Sequence, residues 1–198
     1  MVQSYEGMVK EDSDMTVWNR AFETLAEIVE YGRKKYGDFA PELFILDGST
    51  DFMFDLKIWL DDYMEFLEQE EEQEQLEKVC RKLLKLFAWE KASPSDIGFR
   101  LASSMLPLNK KKEARDFCER WYGEAENDPA AAAALIYAWI ADRRYKDAQK
   151  VVDFWMDKEG GYTEENAEVF GAAAVLQNVF PGNGKDIQVQ YCSSCNKL

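Results

Sequence analysis

Among the residues of this chain that could do chemistry, Cys192 and Cys195 of Tyr191-Cys192-Ser193-Ser194-Cys195 have the most suggestive spacing. Two thiolates separated by two residues can supply half of a tetrahedral zinc site or cycle between dithiol and disulfide. Zinc needs four ligands, and the chain has four cysteines, no second Cys-x-x-Cys and no histidine. No intrachain metal centre is therefore expected. Redox use of such a pair goes with a βαβ context, which the flanking residues do not supply. The absence of histidine also removes the commonest general base and the Ser-His and Cys-His nucleophile pairs. Carboxylates, Lys, Tyr and Cys are what an enzyme would have to use. The 38 acidic residues cannot be sorted into an acid and a base by spacing. No glycine-rich phosphate loop, nucleophile elbow or kinase signature occurs, and no Asp-x-Asp-x-Asp-Gly run offers calcium its oxygen ligands. The expectation is a non-enzymatic protein with no cofactor; an enzyme of carboxylates in a cleft and a self-associating structural subunit are the competing classes.

Charge narrows the partners. The formal net charge is −14, with 23 acids against 12 bases in residues 1–100 and 15 against 12 in residues 101–198. Such a field repels phosphate backbones. The short basic clusters Arg33-Lys34-Lys35 and Lys110-Lys111-Lys112 are accounted for as helix ends or turns, so no nucleic-acid partner is expected. The seven glutamates from Glu65 to Glu77 are expected as a solvated turn and helix start, where the dipole favours negative charge. No run of eighteen apolar residues exists, and the N-terminal MVQSYEGMVKEDSD carries acids where a secretory signal needs a basic segment followed by an apolar one. The expected setting is cytoplasmic, with no membrane contact. Cys80 and Cys118 are expected as reduced, buried thiols rather than as a disulfide.

The elements that must carry any site are helical. Hydrophobic residues make up 46% of the chain, the five prolines and eleven glycines are few, and good helix formers dominate. Capping residues Asp12-Ser13-Asp14 precede a helix whose apolar positions are Val17, Phe22, Leu25, Ile28, Val29 and Tyr36, stopped by Gly37. Pro41 to Gly48 reads as a short helix, with an extended apolar plug as the alternative. From Asp51 to Glu90 there is no Gly or Pro. Phe52, Leu56, Trp59, Leu60, Tyr63 and Leu67 mark one helix, and Leu76, Val79, Cys80, Leu83, Leu84 and Phe87 mark a second after a break near Glu70 to Gln73. One long bent helix is the alternative. Glu74–Lys78 and Glu77–Arg81 are favourable i,i+4 pairs. Beyond Pro181-Gly182-Asn183-Gly184, the alternation of Ile187 to Tyr191 is strand-like within a loose tail.

An internal repeat organises the second half. A shift of 34 residues, without a gap, places Leu101 on Leu135, Ala114 on Ala148 and Trp121 on Trp155. Between them Met105 falls on Trp139, Leu106 on Ile140, Phe117 on Val151 and Cys118 on Val152. Ser93-Pro94-Ser95-Asp96 and Asn127-Asp128-Pro129 supply capping residues and a proline at each helix start, and Gly160-Gly161 ends the second copy. A helix hairpin occurring twice accounts for this, and such hairpins need stacked neighbours to bury both sides. The shared phase makes Trp121 and Trp155 core residues.

The 34-residue helix-turn-helix with Leu135 and Tyr145-x-x-Ala148 resembles the tetratricopeptide repeat. The close match spans residues 94–161, and weaker copies extend it to about 52–178. Thr163 to Gln177, with Val169 and Ala172, resembles a further first helix, and a backward shift of 34 sets Leu67, Cys80, Leu84 and Phe87 on equivalent positions. The small residue expected late in the first helix is Ala102 in one copy but Ile136 in the other, the one expected in the second helix is Trp121 or Trp155, and the proline expected after the second helix is missing. The resemblance implies an all-α, right-handed α-solenoid with an N-terminal helical cap, a general helical-repeat solenoid being the fallback. The organisation expected is residues 1–50 as an N-terminal helical segment, 51–92 as an acidic degenerate helix pair, 93–180 as the repeats and 181–198 as a tail. It further implies partner binding along the first helix of each pair, where Phe99 and Ser103 stand in one copy and Ala133, Tyr137 and Ile140 in the next. The partner expected is a protein or peptide that is basic or carries an apolar anchor.

Overall fold

The computed structural model describes residues 14–48, 55–159 and 162–181, and every regular element among them is a helix. The chain divides into two compact units, Met1–Ile97 and Gly98–Leu198. The Cys192/Cys195 tail, Phe52 and the Gly160-Gly161 stop lie outside the described residues.

The first unit holds α1 (Met15–Tyr36), α2 (Leu43–Gly48), α3 (Leu56–Gln69) and α4 (Gln73–Leu86). Asp14 caps α1 by accepting from the Thr16 amide at 2.8 Å, and Asp55 caps α3 by accepting from Ile58 at 2.9 Å. Gly37 ends α1 at φ 67°, and its amide donates to the Arg33 carbonyl. Arg33, one of the clustered bases, folds back to donate to the carbonyls of Phe39 and Ala40. Within the segment 41–48 the short helix begins at Leu43, two residues after Pro41, and α3 and α4 are separate helices broken after Gln69. Of the two glutamate pairs anticipated, Glu77–Arg81 is made at 2.9 Å, and Glu77 is buried.

The buried face of α1 differs from the expected stripe. Trp18, Phe22, Ala26 and Val29 are buried, whereas Ile28 is 53% and Tyr36 64% exposed. The docking of Trp18 decides this: its ring stacks on Trp59 at 5.7 Å with planes 7° apart and on Tyr63 at 5.9 Å, so the helix turns Trp18 rather than Val17 inward. Each such aromatic pair contributes about 0.5–1.5 kcal/mol beyond area burial. Further along α1, Gly32 lies under the Phe39 ring, with which a Cβ would clash.

The second unit contains α6 (Lys111–Glu124), α7 (Pro129–Ala141), α8 (Tyr145–Glu159), a 3-10 turn (Glu164–Asn166) and α9 (Ala167–Val179), while α5 (Ser95–Met105) crosses the boundary between the units. α5 and α7 begin 34 residues apart, and so do α6 and α8. The hairpin turns are the same structure. Asn109 and Arg143 both take φ 59°, Lys110 and Arg144 donate back to the carbonyls of Met105 and Trp139, and Asn109 and Arg143 donate to Leu106 and Ile140. This is the Schellman closure of a helix C-terminus. The α3–α4 turn repeats it with Glu71 at φ 58°, Glu72 donating to Leu67 and Glu71 to Glu68. That match puts the first hairpin 38 residues before the next, not 34. Leu67 then corresponds to Met105, Leu76 to Ala114 and Cys80 to Cys118, and all six are buried. Leu84, which the 34-residue shift had selected, is only half-buried.

Asp128 caps α7, accepting from Ala130 at 2.9 Å, with Pro129 as first helical residue. α7 is apolar on nearly all sides, as a helix enclosed by neighbours must be, and packs against α6, α8 and α9. Ala114 and Ala148 are both fully buried, as are Cys118 and Val169. Trp155 is core at 3% exposure, but Trp121 is half-buried, lying tilted against Phe117 at 5.8 Å. A Cβ on Gly98 would stand 2.8 Å from the Trp121 ring. The small residue absent from the second helix is thus supplied by the first: Gly98 makes room for Trp121, and Ala132, at the equivalent position 34 residues on, is buried in the same cluster as Trp155.

Candidate functional site

Two surfaces have the make-up of a binding site, one in each unit. In the second unit the first helices of successive pairs bring the expected residues into a row. Phe99 of α5 meets Tyr137 of α7 edge to face, with ring centroids 6.2 Å apart. A Cβ on Gly171 of α9 would lie 3.8 Å from the Tyr137 hydroxyl, so α9 continues the row. Ser103, Tyr137 and Gly171 are spaced by 34 and occupy equivalent places on their helices. Ser103 and Gly171 are exposed, and Phe99, Tyr137 and Ile140 are half-buried. Ala133 is fully buried and provides packing, not contact surface, because α7 is closed in on that side. Partial burial holds the Tyr137 phenol above the ordinary tyrosine range, so at neutral pH it is an O–H that can donate or accept.

Polar contacts fix the row from behind. Glu119 of α6 accepts from Trp139 Nε1 at 2.9 Å and pairs with Arg144 at 2.6 Å, Arg144 covers the Trp139 ring at 4.9 Å, and Arg115 pairs with Asp142. These tie α6 to the α7–α8 turn. Beyond the row, Tyr145 stacks on Phe180 at 5.5 Å, which secures the end of α9 to the start of α8.

In the first unit a cavity of about 280 Å³ opens among α2, α3, α4, the connection that follows α4 and the first turn of α5. Its apolar lining runs from the buried Leu60, Met64 and Leu83 to the more exposed Phe44, Trp89 and Pro94. Backbone ties shape the wall: Ala88 donates to the Pro41 carbonyl, Glu90 to the Glu42 carboxylate at 2.8 Å, and Trp89 Nε1 to the Leu83 carbonyl at 3.1 Å. Its charged lining residues are Glu42, Asp47, Asp55, Asp61 and Asp96, with Lys57 as the only cation among those described. Most of these carboxylates already hold a partner. Asp47, buried, accepts from the Leu56 amide at 2.7 Å, Asp55 caps α3, and Asp61 pairs with Lys57 at 2.8 Å. Burial raises the Asp47 carboxyl above the usual range, against the Leu56 hydrogen bond, which lowers it. The Asp61 carboxylate, with Asp96 and Asp55 farther off, holds the Lys57 ammonium above the ordinary lysine range, the opposite of what a nucleophilic lysine requires.

Nothing in the sequence pointed to this cavity as a site. The legible part of it is α3, whose apolar residues cover more than one face: Trp59, Tyr63 and Leu67 serve the aromatic core, leaving Leu60 and Met64 for a second neighbour. Cys80 and Cys118 are buried, and burial pushes the Cys118 thiol up to about 12, so it is inert at neutral pH. Among the described residues no group of three or more Cys, Asp or Glu is placed to hold a metal ion, and no helix is long and apolar enough to cross a membrane. Comparison with protein-family models, with curated proteins and with solved structures finds no match.

Proposed function

We propose that the protein is a non-enzymatic, cytoplasmic interaction module whose C-terminal unit is tetratricopeptide-like and holds a peptide or partner helix along the row of first helices. The observation that supports this reading is the Phe99–Tyr137 edge-to-face pair bridging two successive first helices, with exposed Gly171 extending it onto a third. Paired aromatics that stay part-exposed offer a rigid apolar anchor point with a polar tip, the composition that binding hot spots favour. The helix pairs stack as a right-handed solenoid in this reading, and the acidic charge of the chain favours a partner that is basic as well as apolar.

The test is a random-peptide display selection on the intact protein, followed by affinity measurements on the recovered peptides. The Phe99→Ala/Tyr137→Ala double variant, checked for unchanged helicity, is expected to lose at least about tenfold in affinity, the loss of one good anchor contact. Peptides that bind parent and double variant equally would remove the row from the function.

A further inference from the structure

The cavity of the first unit shares no lining residue with that row and has a chemistry of its own. Its volume, about 280 Å³, lies at the small end of ligand sites and suits a compact molecule rather than a nucleotide or an extended chain. Its apolar lining asks for a hydrocarbon body. Among the described lining residues the carboxylates Glu42, Asp47, Asp55, Asp61 and Asp96 outnumber the single cation Lys57, which disfavours an anion and favours a cation at the rim.

Lys57 shows where the positive charge belongs. Its ammonium sits 2.8 Å from Asp61 with Asp55 and Asp96 in electrostatic range, yet the side chain is 64% exposed on a flexible stem. An exposed i,i+4 pair of this kind is weak and easily exchanged. The rim therefore stabilises an ammonium that is held only loosely, and the cavity beside it carries apolar surface that Lys57 does not fill.

We propose that this cavity binds a small organic cation, an alkyl- or aryl-ammonium ion whose body rests on Phe44, Trp89 and Pro94 and whose charge takes the place of the Lys57 ammonium beside Asp61. Charge and shape act together: the hydrocarbon leaves water, while the ammonium exchanges one cation for another and leaves no carboxylate unpaired. Lys57 is accordingly an internal competitor, and its removal strengthens binding.

The experiment is titration calorimetry of the full chain at pH 7 with phenethylammonium chloride, beside 2-phenylethanol as the neutral analogue and 3-phenylpropanoate as the anionic one. Saturable binding of the ammonium is expected, about tenfold or more tighter than the alcohol, with no binding of the carboxylate. Lys57→Met should tighten the ammonium severalfold, and Asp61→Asn should weaken it about tenfold. Both changes are at exposed or half-exposed positions, and thermal melts confirm that the variants fold. Met64→Trp, which fills the cavity, should abolish binding. Equal affinity for alcohol and ammonium, indifference to Lys57→Met and Asp61→Asn, or absence of ammonium binding to both parent and Lys57→Met would overturn the proposal. So would binding confined to lysine-containing peptides, which would make the cavity a partner-protein contact.

Discussion

The two units close similar hairpin turns but fill the space between helices by different means. In the first, Trp18, Trp59 and Tyr63 stack as near-parallel plates, and Trp59 is buried with no partner for its Nε1–H among the described residues. In the second, five successive alanines from Ala130 to Ala134 are buried on α7, and neighbouring helices approach that helix closely. Aromatic plates anchor a few large contacts and leave a cavity nearby. Alanine packing distributes the contact, keeps the 34-residue register and leaves a row of side chains at regular intervals. The difference teaches that a turn geometry can be reused while the core is rebuilt, and that the kind of surface left over follows from how the core is filled.

The largest expected effect comes from removing a plate. Trp18→Ala should cost about 3–5 kcal/mol, at the upper end because two stacked rings lose their partner; Trp155→Ala should fall at the lower end of that range. Urea unfolding gives the totals, and native-state hydrogen exchange locates them. Loss of protection confined to residues 15–86 for Trp18→Ala and to residues 98–179 for Trp155→Ala would confirm two separately packed cores, whereas uniform loss would merge them. Next are the glycines beneath aromatic rings. Gly32→Ala and Gly98→Ala should each cost about 1–3 kcal/mol by overpacking against Phe39 and Trp121, with Gly32 the worse because its clash is shorter. Equal tolerance at both positions would show that the rings move aside.

Alkaline pH offers a subtler comparison. Burial pushes Tyr63 from 10.0 to about 12 and Cys118 from 9.0 to about 12. Both folded-state values lie above the unfolded ones, so the native state holds these protons more tightly, and that stability is present below the unfolded pKa and lost as pH rises through the window. The second unit should begin to weaken above pH 9 and the first above pH 10, with Cys118→Ala and Tyr63→Phe each removing its own component. Unfolding curves at pH 8, 9.5 and 11 would read this directly. The smallest effect concerns the shared turn. Arg143 and Glu71 pay for a left-handed backbone, so Arg143→Gly and Glu71→Gly should stabilise by up to about 1 kcal/mol, and Asn109→Gly by less, since Asn tolerates that conformation.

These contrasts also mark what could be seen in the residues. The 34-residue register, the hairpins of the second unit and the break after Gln69 were legible because apolar spacing and capping residues repeat there. The true offset of the first hairpin was not, since its turn uses Glu71 where a Gly or Asn would have flagged a left-handed residue. Periodicity on α1 selected Ile28 and Tyr36, and only the stacking of Trp18 on Trp59 determines which side turns inward. In the row of first helices, position within the repeat selected Phe99, Tyr137 and Ile140, which are part-exposed, and Ala133, which is buried because α7 is enclosed on that side as well, something spacing cannot tell. The cavity was invisible because its walls come from several segments between Glu42 and Ile97 that only the packing of their helices brings together.

The central claim, that the row of first helices is the binding surface, is tested most directly by amide chemical-shift mapping of the isotope-labelled full chain with a peptide selected as above. The account predicts that the largest shifts fall at Phe99, Ser103, Tyr137, Ile140 and Gly171, with the exposed positions Arg120 and Lys150 of α6 and α8 unmoved. Shifts concentrated on α6 and α8, with Phe99 and Tyr137 unchanged, would contradict it.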